Sequence, residues 1–256
     1  MFDTHLHTKY STDSKMNIEE AINKVKDNEI GIIVTEHIDL NYKDKSQFNF
    51  NIKDYFNEYG SYRGEKLLLG VEIGMSNKYA NENKLISMDY PFDYVIGSLH
   101  EMYDTDLYEA EKIYKTINKK ELYIEYFKQI INCLEEHPFI DSLGHIDYIS
   151  RCAAYDDKEM YYEEYREYIN EVLRKVINMG TCLELNTRRL GDKKAVENLI
   201  KIYENYFKLG GKYVTLGSDA HRPEDIGKNF TLAKDIIDYC NLRTVYYKNR
   251  KIEFTH

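Results

Sequence analysis

The chain has 256 residues, of which 43% are hydrophobic and 31% charged, a balance that excludes a disordered protein and fits a globular one. Its 35 basic and 44 acidic residues give a formal net charge of −9, which disfavours nucleic acid and anionic membranes as partners but allows a locally positive site. No apolar run is long enough to span a membrane, and the first residues lack the apolar region of a signal peptide. Four widely spaced cysteines without a CxxC pair predict reduced thiols and a cytoplasmic location; they are Cys133, Cys152, Cys182 and Cys240.

Short apolar runs alternate along the chain with longer amphipathic segments, the pattern of repeated βα units. Seven strands are predicted, at residues 1–7, 30–35, 66–73, 92–98, 140–145, 181–186 and 213–218. No linker rich in Gly, Ser or Pro divides the sequence, so residues 1–256 are predicted to form one domain. Seven strands, each followed by a helix, predict an α/β fold built as a closed or distorted barrel, in which the loops after the strands form the active site.

Helix signals lie between the predicted strands. Asn17 and Glu20 have the spacing of a capping box, which predicts a helix start at this point. Amphipathic spacing predicts further helices at residues 161–179, 195–209 and 232–239.

Three segments have other patterns. Residues 41–51 are polar and predict a loop over one face of the barrel, whereas residues 244–254 predict a short hairpin with Lys248 and Asn249 at its turn. Residues 107–133 have the pattern of a long helical stretch with a polar face. Such a stretch could either cover the active site or form an interface between subunits.

Candidate metal ligands recur where the predicted strands end. His5 and His7 end the first strand, and because strand side chains alternate, both imidazoles share a face and can converge on one ion. The residues that repeat this placement are His37, Glu72, His100, His145, Asp219 and His221. Any one of these histidines alone would more simply be a core or surface residue, but six at strand ends favour a metal centre. Imidazole-rich sites with a few carboxylates suit Zn, Fe or Mn better than Ca or Mg.

Two histidines do not share this placement. His137 precedes Pro138 at a predicted helix end, where a cation would interact favourably with the helix dipole, so it is interpreted as structural. His256 is the last residue and is expected to be exposed and without a role.

The motifs at the strand ends resemble those of the PHP (polymerase and histidinol phosphatase) superfamily, in the same order along nearly the whole chain. The matching segments are Asp3-Thr4-His5-Leu6-His7-Thr8, Ser11-Thr12-Asp13, Thr35-Glu36-His37, Gly70-Val71-Glu72, Gly97-Ser98-Leu99-His100, Gly144-His145-Ile146-Asp147 and Gly217-Ser218-Asp219-Ala220-His221. The resemblance implies a distorted (β/α)7 barrel with a trinuclear metal site at the C-terminal ends of the strands. With Asp13, the candidate ligands number nine, more than one ion can use, so two or three divalent ions are expected.

The resemblance also implies how the ligands divide among the ions. The implied sets are His5, His7, Glu72 and Asp219 for one ion, Glu72, His100 and His145 for a second, and Asp13, His37 and His221 for a third. Some relatives carry His where this chain has Asp13. The carboxylate could weaken the third site or favour a harder ion, or Asp13 could be an ordinary loop residue or helix N-cap.

Within the superfamily, the motif spacing and the segment Glu184-Leu185-Asn186-Thr187 are most similar to the stand-alone histidinol-phosphate phosphatases. Those enzymes hydrolyse L-histidinol phosphate to L-histidinol and phosphate in histidine biosynthesis. Two of their arginines bind the phosphate group of the substrate. Arg151 and Arg188 stand at the matching positions here, although Arg189 could take the place of Arg188. A guanidinium suits this task because its planar fork binds two phosphate oxygens at once. The alternative is that both are surface arginines.

A site of this kind would hydrolyse a phosphate monoester by attack of a metal-bridging hydroxide on phosphorus, in line with the departing alkoxide. Hydroxide is available near neutral pH because bound metal ions lower the pKa of water to roughly 7. Glu72, Asp219 and His221 are the chain's expected catalytic residues. The chemistry requires no Cys or Ser nucleophile, and the acid that protonates the leaving group stays open.

Parts of this pattern also occur in proteins with other functions. An amidohydrolase-type C–N hydrolase commonly uses a bridging Lys in mid-barrel, where this chain has Glu72. A PHP-type phosphoesterase could instead act on a nucleotide, a nucleic-acid phosphodiester or phosphotyrosine, but a nuclease should show a basic track with aromatic platforms. A non-enzymatic, metal-stabilised binding module should have degraded ligand positions, and only Asp13 departs from the pattern. The native metal and the oligomeric state stay open.

Overall fold

The strands of this fold carry the candidate ligands. The computed structural model describes residues 1–28 and 30–254. Within that part of the chain, the strands are β1 (Phe2–Leu6), β2 (Gly31–Ile38), β3 (Leu67–Gly74), β4 (Tyr94–Ser98), β5 (Glu101–Met102), β6 (Thr105–Asp106), β7 (Ser142–Leu143), β8 (Cys182–Asn186), β9 (Tyr213–Gly217), β10 (Arg243–Lys248) and β11 (Lys251–Phe254). The seven predicted strands correspond to β1–β4 and β7–β9, so the predicted βα pattern is confirmed.

The helices lie between these strands. In the described residues they are α1 (Ile18–Asn28), α2 (Ile52–Tyr59), α3 (Ala80–Asp89), α4 (Glu111–Thr116), α5 (Lys119–Glu136), α6 (Tyr148–Cys152), α7 (Tyr162–Met179), α8 (Lys193–Lys208) and α9 (Phe230–Tyr239). At the start of α1, Glu20 accepts the backbone N–H of Asn17 at 2.8 Å, as the capping-box pattern predicted. The three predicted amphipathic helices match α7, α8 and α9, and α7 ends at Gly180, whose φ of 72° few other residues adopt without strain.

The sheet brings the ends of seven strands to one edge. β1–β4 and β7–β9 run parallel and follow one another in chain order, and β10 and the antiparallel β11 extend the sheet. The central strands β2 and β3 are buried along their whole length, as expected where helices cover a parallel sheet. Because these strands all point the same way, the residues that follow them meet at the carboxyl edge.

The barrel is distorted because β1 and β9 do not pair along their length. Among the described residues, backbone pairing between them is limited to an isolated bridge between Leu6, the last residue of β1, and Ala220, which lies beyond β9. His7 N donates to Ala220 O at 2.8 Å, and Asp219 N donates to His5 O at 2.7 Å. The weak closure therefore lies at the carboxyl edge, where it joins the first and last ligand motifs.

The predicted C-terminal hairpin is confirmed, with its turn one residue later than expected. Lys248 pairs with Lys251, so the turn residues are Asn249 and Arg250, whose φ angles are 50° and 63°. Two consecutive residues with positive φ are typical of the type I′ turns that match strand twist in short hairpins. The turn directs Arg250 Nε to Asp141 Oδ2 at 2.5 Å, which ties the hairpin to the residue before β7.

Residues 107–133 do not form the single helix that their pattern predicted. The stretch divides into α4 and α5, and the side chain of Asn118 caps α5 by accepting the N–H of Glu121 at 3.0 Å. Tyr108 and Glu109, which precede α4, line a cavity that also contains the candidate ligands. The helix α5 instead packs against α7. The first part of the stretch thus covers the site. The short strands β5 and β6 were missed because two-residue strands leave no detectable period in a sequence.

His137 is structural, but the predicted cation at this position is wrong. Its ring is buried, with Nδ1 donating to Cys133 O at 2.7 Å and Nε2 accepting from Asn83 Nδ2 at 3.2 Å. Burial lowers the pKa of His137, so the neutral ring is favoured. His256 lies outside the described residues.

Other expectations concern cysteines, loops and membranes. All four cysteines are free, and residues 41–51 form turns and bends, as predicted. None of the helices in residues 1–28 and 30–254 combines the length and apolar character needed to cross a membrane.

Arg250 offers a test of the hairpin's contribution to stability. We expect Arg250→Ala to lower the free energy of unfolding by about 2 kcal/mol, because the largely buried Asp141 loses its charged partner. Urea unfolding followed by circular dichroism measures this change. Lys251→Ala, on the exposed side of the same hairpin, is the matched control and should change little. Equal stability of the two variants would show that the ion pair does not anchor the hairpin.

Candidate metal centre

Glu72, on β3, lies fully buried at the centre of the predicted ligands. Its Oε2 lies 3.2 Å from His5 Nε2, 3.4 Å from His7 Nε2 and 3.0 Å from His37 Nδ1. These histidines come from β1, β2 and the residue after β1, and both strands are close to β3 in the sheet. Three imidazoles therefore surround one carboxylate oxygen.

The other oxygen of Glu72 faces a second group of imidazoles. Its Oε1 lies 3.2 Å from His100 Nε2 and 3.0 Å from His145 Nε2. These two ring nitrogens are 3.5 Å apart, and their residues follow β4 and β7. With a separate imidazole group at each oxygen, Glu72 has the geometry of a bridging ligand.

Asp219 closes the centre from the side of β9. Its Oδ1 lies 3.5 Å from His7 Nε2, 3.9 Å from His5 Nε2 and 3.5 Å from His221 Nδ1. The backbone of Asp219 has a φ of 53°, which costs a non-glycine residue about 1 kcal/mol. The backbone bond from Asp219 N to His5 O holds this strained conformation at the site.

Asp13 is the outermost of the predicted ligands. Its Oδ2 lies 2.9 Å from His221 Nε2 and 3.7 Å from His37 Nε2. The Asp13 side chain is 41% exposed, whereas those of His37 and His221 are 10% and 12% exposed. The fold thus brings all nine predicted residues together, with Asp13 at the solvent edge.

Two carboxylates that the sequence did not predict accept hydrogen bonds from imidazoles, on the side of each ring that faces away from Glu72. His5 Nδ1 donates to Glu184 Oε1 at 2.7 Å, and His100 Nδ1 donates to Asp39 Oδ1 at 2.7 Å. Because a carboxylate accepts at Nδ1, the Nε2 lone pair of each ring faces Glu72. The strand period could have indicated Asp39, which lies two residues after His37, but no local signal pairs Glu184 with His5.

His7 and His221 are held in the same way by other acceptors. His7 Nδ1 lies 3.1 Å from Ser11 Oγ, which itself donates to Glu36 Oε2 at 2.6 Å. His221 Nδ1 lies 2.9 Å from the backbone oxygen of Asp219. Their Nε2 atoms are consequently directed at the centre as well.

The chemistry of these atoms fits bound metal ions. Within residues 1–28 and 30–254, Glu72 Oε2 and His37 Nδ1 are buried and have no hydrogen-bond partner, since their 3.0 Å contact lacks hydrogen-bond geometry. In addition, His5 Nε2 and His7 Nε2 are 3.1 Å apart, although both carry lone pairs in the tautomers described above. Buried lone pairs that converge so closely need a cation between them. Imidazole nitrogens and carboxylate oxygens form a donor set suited to transition-metal ions such as zinc.

The ligand atoms can be grouped in more than one way. Sets of three with atoms within 4.8 Å of one another are His7, His37 and His221; His5, His7 and Asp219; His5, Glu72 and His145; and His37, Asp39 and His100. The first three overlap the sets that the family resemblance implied. The last contains Asp39, which was not among the predicted ligands.

The buried groups of the centre shift one another's pKa values. Burial alone would raise the pKa of Glu72, but the imidazoles of His5 and His37 hold it well below its usual value. Burial also opposes protonation of His37, yet Glu72 and Asp39 raise its pKa to about 10. The pKa of Asp39 falls to about 2 because the charge of His100 outweighs the effect of burial. The centre therefore favours positive charge around Glu72, which protons supply in the free protein and metal ions can replace.

The two predicted phosphate-binding arginines meet at Asp219. Arg151 Nη1 donates to Asp219 Oδ2 at 2.5 Å, and Arg188 Nη1 donates to the backbone oxygen of Asp219 at 2.5 Å. Both guanidinium groups line the cavity above the histidines. Arg189 is instead held by a buried ion pair with Asp147 at 2.8 Å, which leaves Arg188 as the member of this pair that faces the cavity.

A cavity of about 580 Å³ opens above the centre, a size that suits a small molecule. Its lining beyond the predicted residues comprises Asp39, Tyr42, Phe48, Asp106, Tyr108, Glu109, Tyr148, Arg222 and Asp225. Most of these residues lie in loops that are far apart in the chain, so no sequence spacing indicated them. The cavity thus has two arginines near Asp219 and several carboxylates on its wall.

The position of Glu72 predicts the effect of its substitution. We expect Glu72→Gln to lose at least one metal equivalent per chain, because the amide cannot offer two anionic oxygens to two imidazole groups. Metal content by inductively coupled plasma mass spectrometry after dialysis measures this loss. The exposed Glu253→Gln is the matched control and should retain all bound metal. Full metal content in Glu72→Gln would contradict the bridging position.

Comparison with known proteins agrees with this site. A protein of Clostridium acetobutylicum named as a probable histidinol-phosphatase is 52% identical over 254 residues, 99% of each chain. The histidinol-phosphatase of Lactococcus lactis subsp. lactis is 32% identical over 228 residues, which cover 86% of this chain and 83% of that protein. A crystal structure of histidinol phosphate phosphatase from Lactococcus lactis subsp. lactis contains zinc, L-histidinol and phosphate. It matches this fold with a TM-score of 0.90 at 29% identity and covers 98% of both chains.

The sequence signature of a known domain spans seven of the nine predicted ligands and ends before Asp219 and His221. The PHP domain matches residues 3–188, which include β1–β4, β7 and β8. That match covers more than half of the chain, and the relatives cover nearly all of it. The chain therefore belongs to the PHP domain family.

Proposed function

We propose that this chain is a metal-dependent phosphomonoesterase that hydrolyses L-histidinol phosphate to L-histidinol and phosphate, a reaction of histidine biosynthesis. The observation that carries the proposal is the meeting of Arg151 and Arg188 at Asp219, beside the six-imidazole centre. Two guanidinium groups next to metal ligands suit the terminal phosphate of a monoester. The relatives named as histidinol-phosphatases support the choice of substrate.

The nine predicted residues are proposed as the metal ligands. The sets remain His5, His7, Glu72 and Asp219; Glu72, His100 and His145; and Asp13, His37 and His221. The contacts of Glu72 with imidazoles at both oxygens support its bridging role. We infer two or three divalent ions, and zinc in the Lactococcus lactis structure favours zinc, with manganese and iron also compatible with these donors.

The ions and the chain's own groups would divide the chemistry. When bound, divalent ions lower the pKa of water to roughly 7 and offset negative charge on phosphoryl oxygens. Arg151 and Arg188 would hold two of these oxygens and stabilise the charge that spreads over them during the reaction. Glu72, Asp219 and His221 are proposed as the residues that most affect the rate, since Asp219 contacts both arginines and His221 lies 3.4 Å from Arg188.

The carboxylates of the cavity suit the other end of the substrate. L-Histidinol carries an ammonium group and an imidazole, and Asp106, Glu109 and Asp225 all line the cavity. Glu109 is held by Tyr42, whose hydroxyl donates to it at 3.1 Å, and also by Lys43. Hydrogen bonds from Lys43 and Tyr42 lower the pKa of Glu109, which therefore stays ionised.

The remaining proposals concern partners and compartment. The net charge of −9 supports a small phosphate monoester and not nucleic acid as the partner. We propose the cytoplasm as the compartment, because four free cysteines suit a reducing environment.

Substrate preference tests the proposed function. With zinc or manganese added, we expect phosphate release from L-histidinol phosphate at a higher kcat/KM than from p-nitrophenyl phosphate, which lacks a cationic end. Bis-p-nitrophenyl phosphate should be turned over poorly, since a diester has no terminal phosphate for both arginines to hold. Colorimetric phosphate and p-nitrophenol assays measure these rates. Turnover of the diester alone would overturn the monoesterase proposal and favour a phosphodiesterase.

Substitution of the arginines tests their assignment. We expect Arg151→Ala and Arg188→Ala each to lower kcat/KM for L-histidinol phosphate about 100-fold, through the loss of charge-assisted bonds to phosphate. Arg188→Lys should recover little of this loss, because an ammonium group cannot bind two oxygens as a planar fork does. Steady-state kinetics measure the effect, with the exposed Arg166→Ala as the control. Wild-type kcat/KM in both alanine variants would exclude these arginines from phosphate binding.

A further inference from the structure

Two buried carboxylates lie behind the imidazoles of the metal centre. Glu184 is on β8 and Asp39 directly follows β2, and their exposed fractions are 0% and 7%. Neither belongs to the proposed ligand set. Burial of an ionised carboxylate is unfavourable unless hydrogen bonds or charges compensate it, so the contacts of these two residues indicate their roles.

Glu184 connects two parts of the centre. Its Oε1 accepts a hydrogen bond from His5 Nδ1 at 2.7 Å, and its Oε2 accepts one from the backbone N–H of His145 at 2.7 Å. His5 can therefore offer only its Nε2 lone pair, which lies 3.2 Å from Glu72 Oε2. One carboxylate thus orients a ring on β1 and the backbone of a ligand that follows β7.

Asp39 makes an equivalent contact on the opposite side of Glu72. Its Oδ1 accepts a hydrogen bond from His100 Nδ1 at 2.7 Å, and its Oδ2 lies 3.4 Å from His37 Nδ1. The Nε2 of His100 consequently faces Glu72 Oε1 at 3.2 Å. Asp39 therefore orients one imidazole ring while it lies close to a second.

Glycines provide the space for both carboxylates. A Cβ at Gly217 would lie 2.2 Å from Glu184 Oε1 and 2.5 Å from His5 Cβ. A Cβ at Gly74 would lie 1.9 Å from Asp39 Oδ1. Neither glycine has a positive φ, so backbone conformation does not require them. The absence of a side chain at these positions is what allows each carboxylate to reach its imidazole.

We propose that Glu184 and Asp39 are positioning residues that hold His5 and His100 in the Nδ1–H tautomer, with Nε2 directed at the metal ions on either side of Glu72. This inference depends on the proposed metal ligands. Carboxylates that accept a hydrogen bond from a ligating imidazole fix its ring and raise its basicity. Their loss should therefore weaken metal binding without removing an ion at saturation.

The test measures metal affinity in Glu184→Gln and Asp39→Asn. Glutamine offers one acceptor oxygen where two N–H groups approach, so it cannot satisfy both His5 and His145 despite its equal size. We expect each variant to bind zinc about 10- to 100-fold more weakly in competition with a chromophoric chelator, with wild-type stoichiometry at saturating zinc. Nitrogen-15 spectra of the histidine rings in the zinc-loaded protein should also show an altered tautomer signal.

Glu159→Gln is the matched control, because Glu159 is a buried carboxylate that pairs with Arg189 outside the ligand contacts. It should retain wild-type zinc affinity even if its unfolding midpoint falls. Gly74→Ala is a second variant that keeps Asp39 but displaces its carboxylate, and we expect the same weakening as in Asp39→Asn. If Glu184→Gln does not fold, Asp39→Asn supplies the measurement.

The outcomes separate this inference from the proposed function. Wild-type zinc affinity in both Glu184→Gln and Asp39→Asn, while Glu72→Gln loses metal, would overturn the positioning role and leave the metal centre intact. Loss of one zinc equivalent at saturation in Asp39→Asn would make Asp39 a direct ligand and also overturn its positioning role. Full metal content in Glu72→Gln would instead refute the proposed metal centre itself.

Discussion

Burial of the Glu72 carboxylate is the constraint on which the site depends. An ionised carboxylate with no solvent exposure is stable only where opposite charge or hydrogen bonds replace water. Five imidazoles surround Glu72, and two other carboxylates hold some of these rings in place from behind. The centre is therefore layered, with Glu72 inside, imidazoles around it and Glu184 and Asp39 outside. Divalent ions fit this arrangement because they neutralise the innermost charge and use the inward lone pairs.

The incomplete closure of the barrel also serves the centre. β1 and β9 meet near the carboxyl edge, where the backbone of His5 accepts from Asp219. The buried Asp3 strengthens this junction by accepting from Ser218 N at 2.9 Å and from Gly227 N at 2.9 Å. These bonds hold the loop after β9, which carries two proposed ligands, against the end of β1, where two more lie. The distortion of the barrel is thus located where the ligand motifs at the two ends of the sheet must come together.

The distribution of charge reconciles an acidic protein with a phosphate substrate. The chain carries a net charge of −9, yet Arg151 and Arg188 lie side by side at the metal centre. Local potential in a cavity depends on the nearest charges, since distant ones are screened over about 8 Å at physiological ionic strength. The acidic residues of the same cavity then suit the cationic end of an amino-alcohol phosphate. One cavity can in this way bind both ends of a substrate that carries opposite charges.

Asp13 and the two arginines were expected only through the family resemblance, whereas the sequence alone was sufficient for the βα pattern and for the eight strand-end residues, Glu72 among them, that meet at the metal centre. The reason is geometric, because a residue that follows a parallel strand must lie at the carboxyl edge of the sheet, whatever the details of packing. Tertiary structure alone decided the contacts of Glu184 with His5, the acidic part of the cavity wall and the division of residues 107–133 into two helices. These features depend on residues far apart in the chain, such as positions 5 and 184, whose approach no local period or spacing encodes. The neutral state of His137 was likewise decided by burial, which a sequence pattern at a helix end does not reveal.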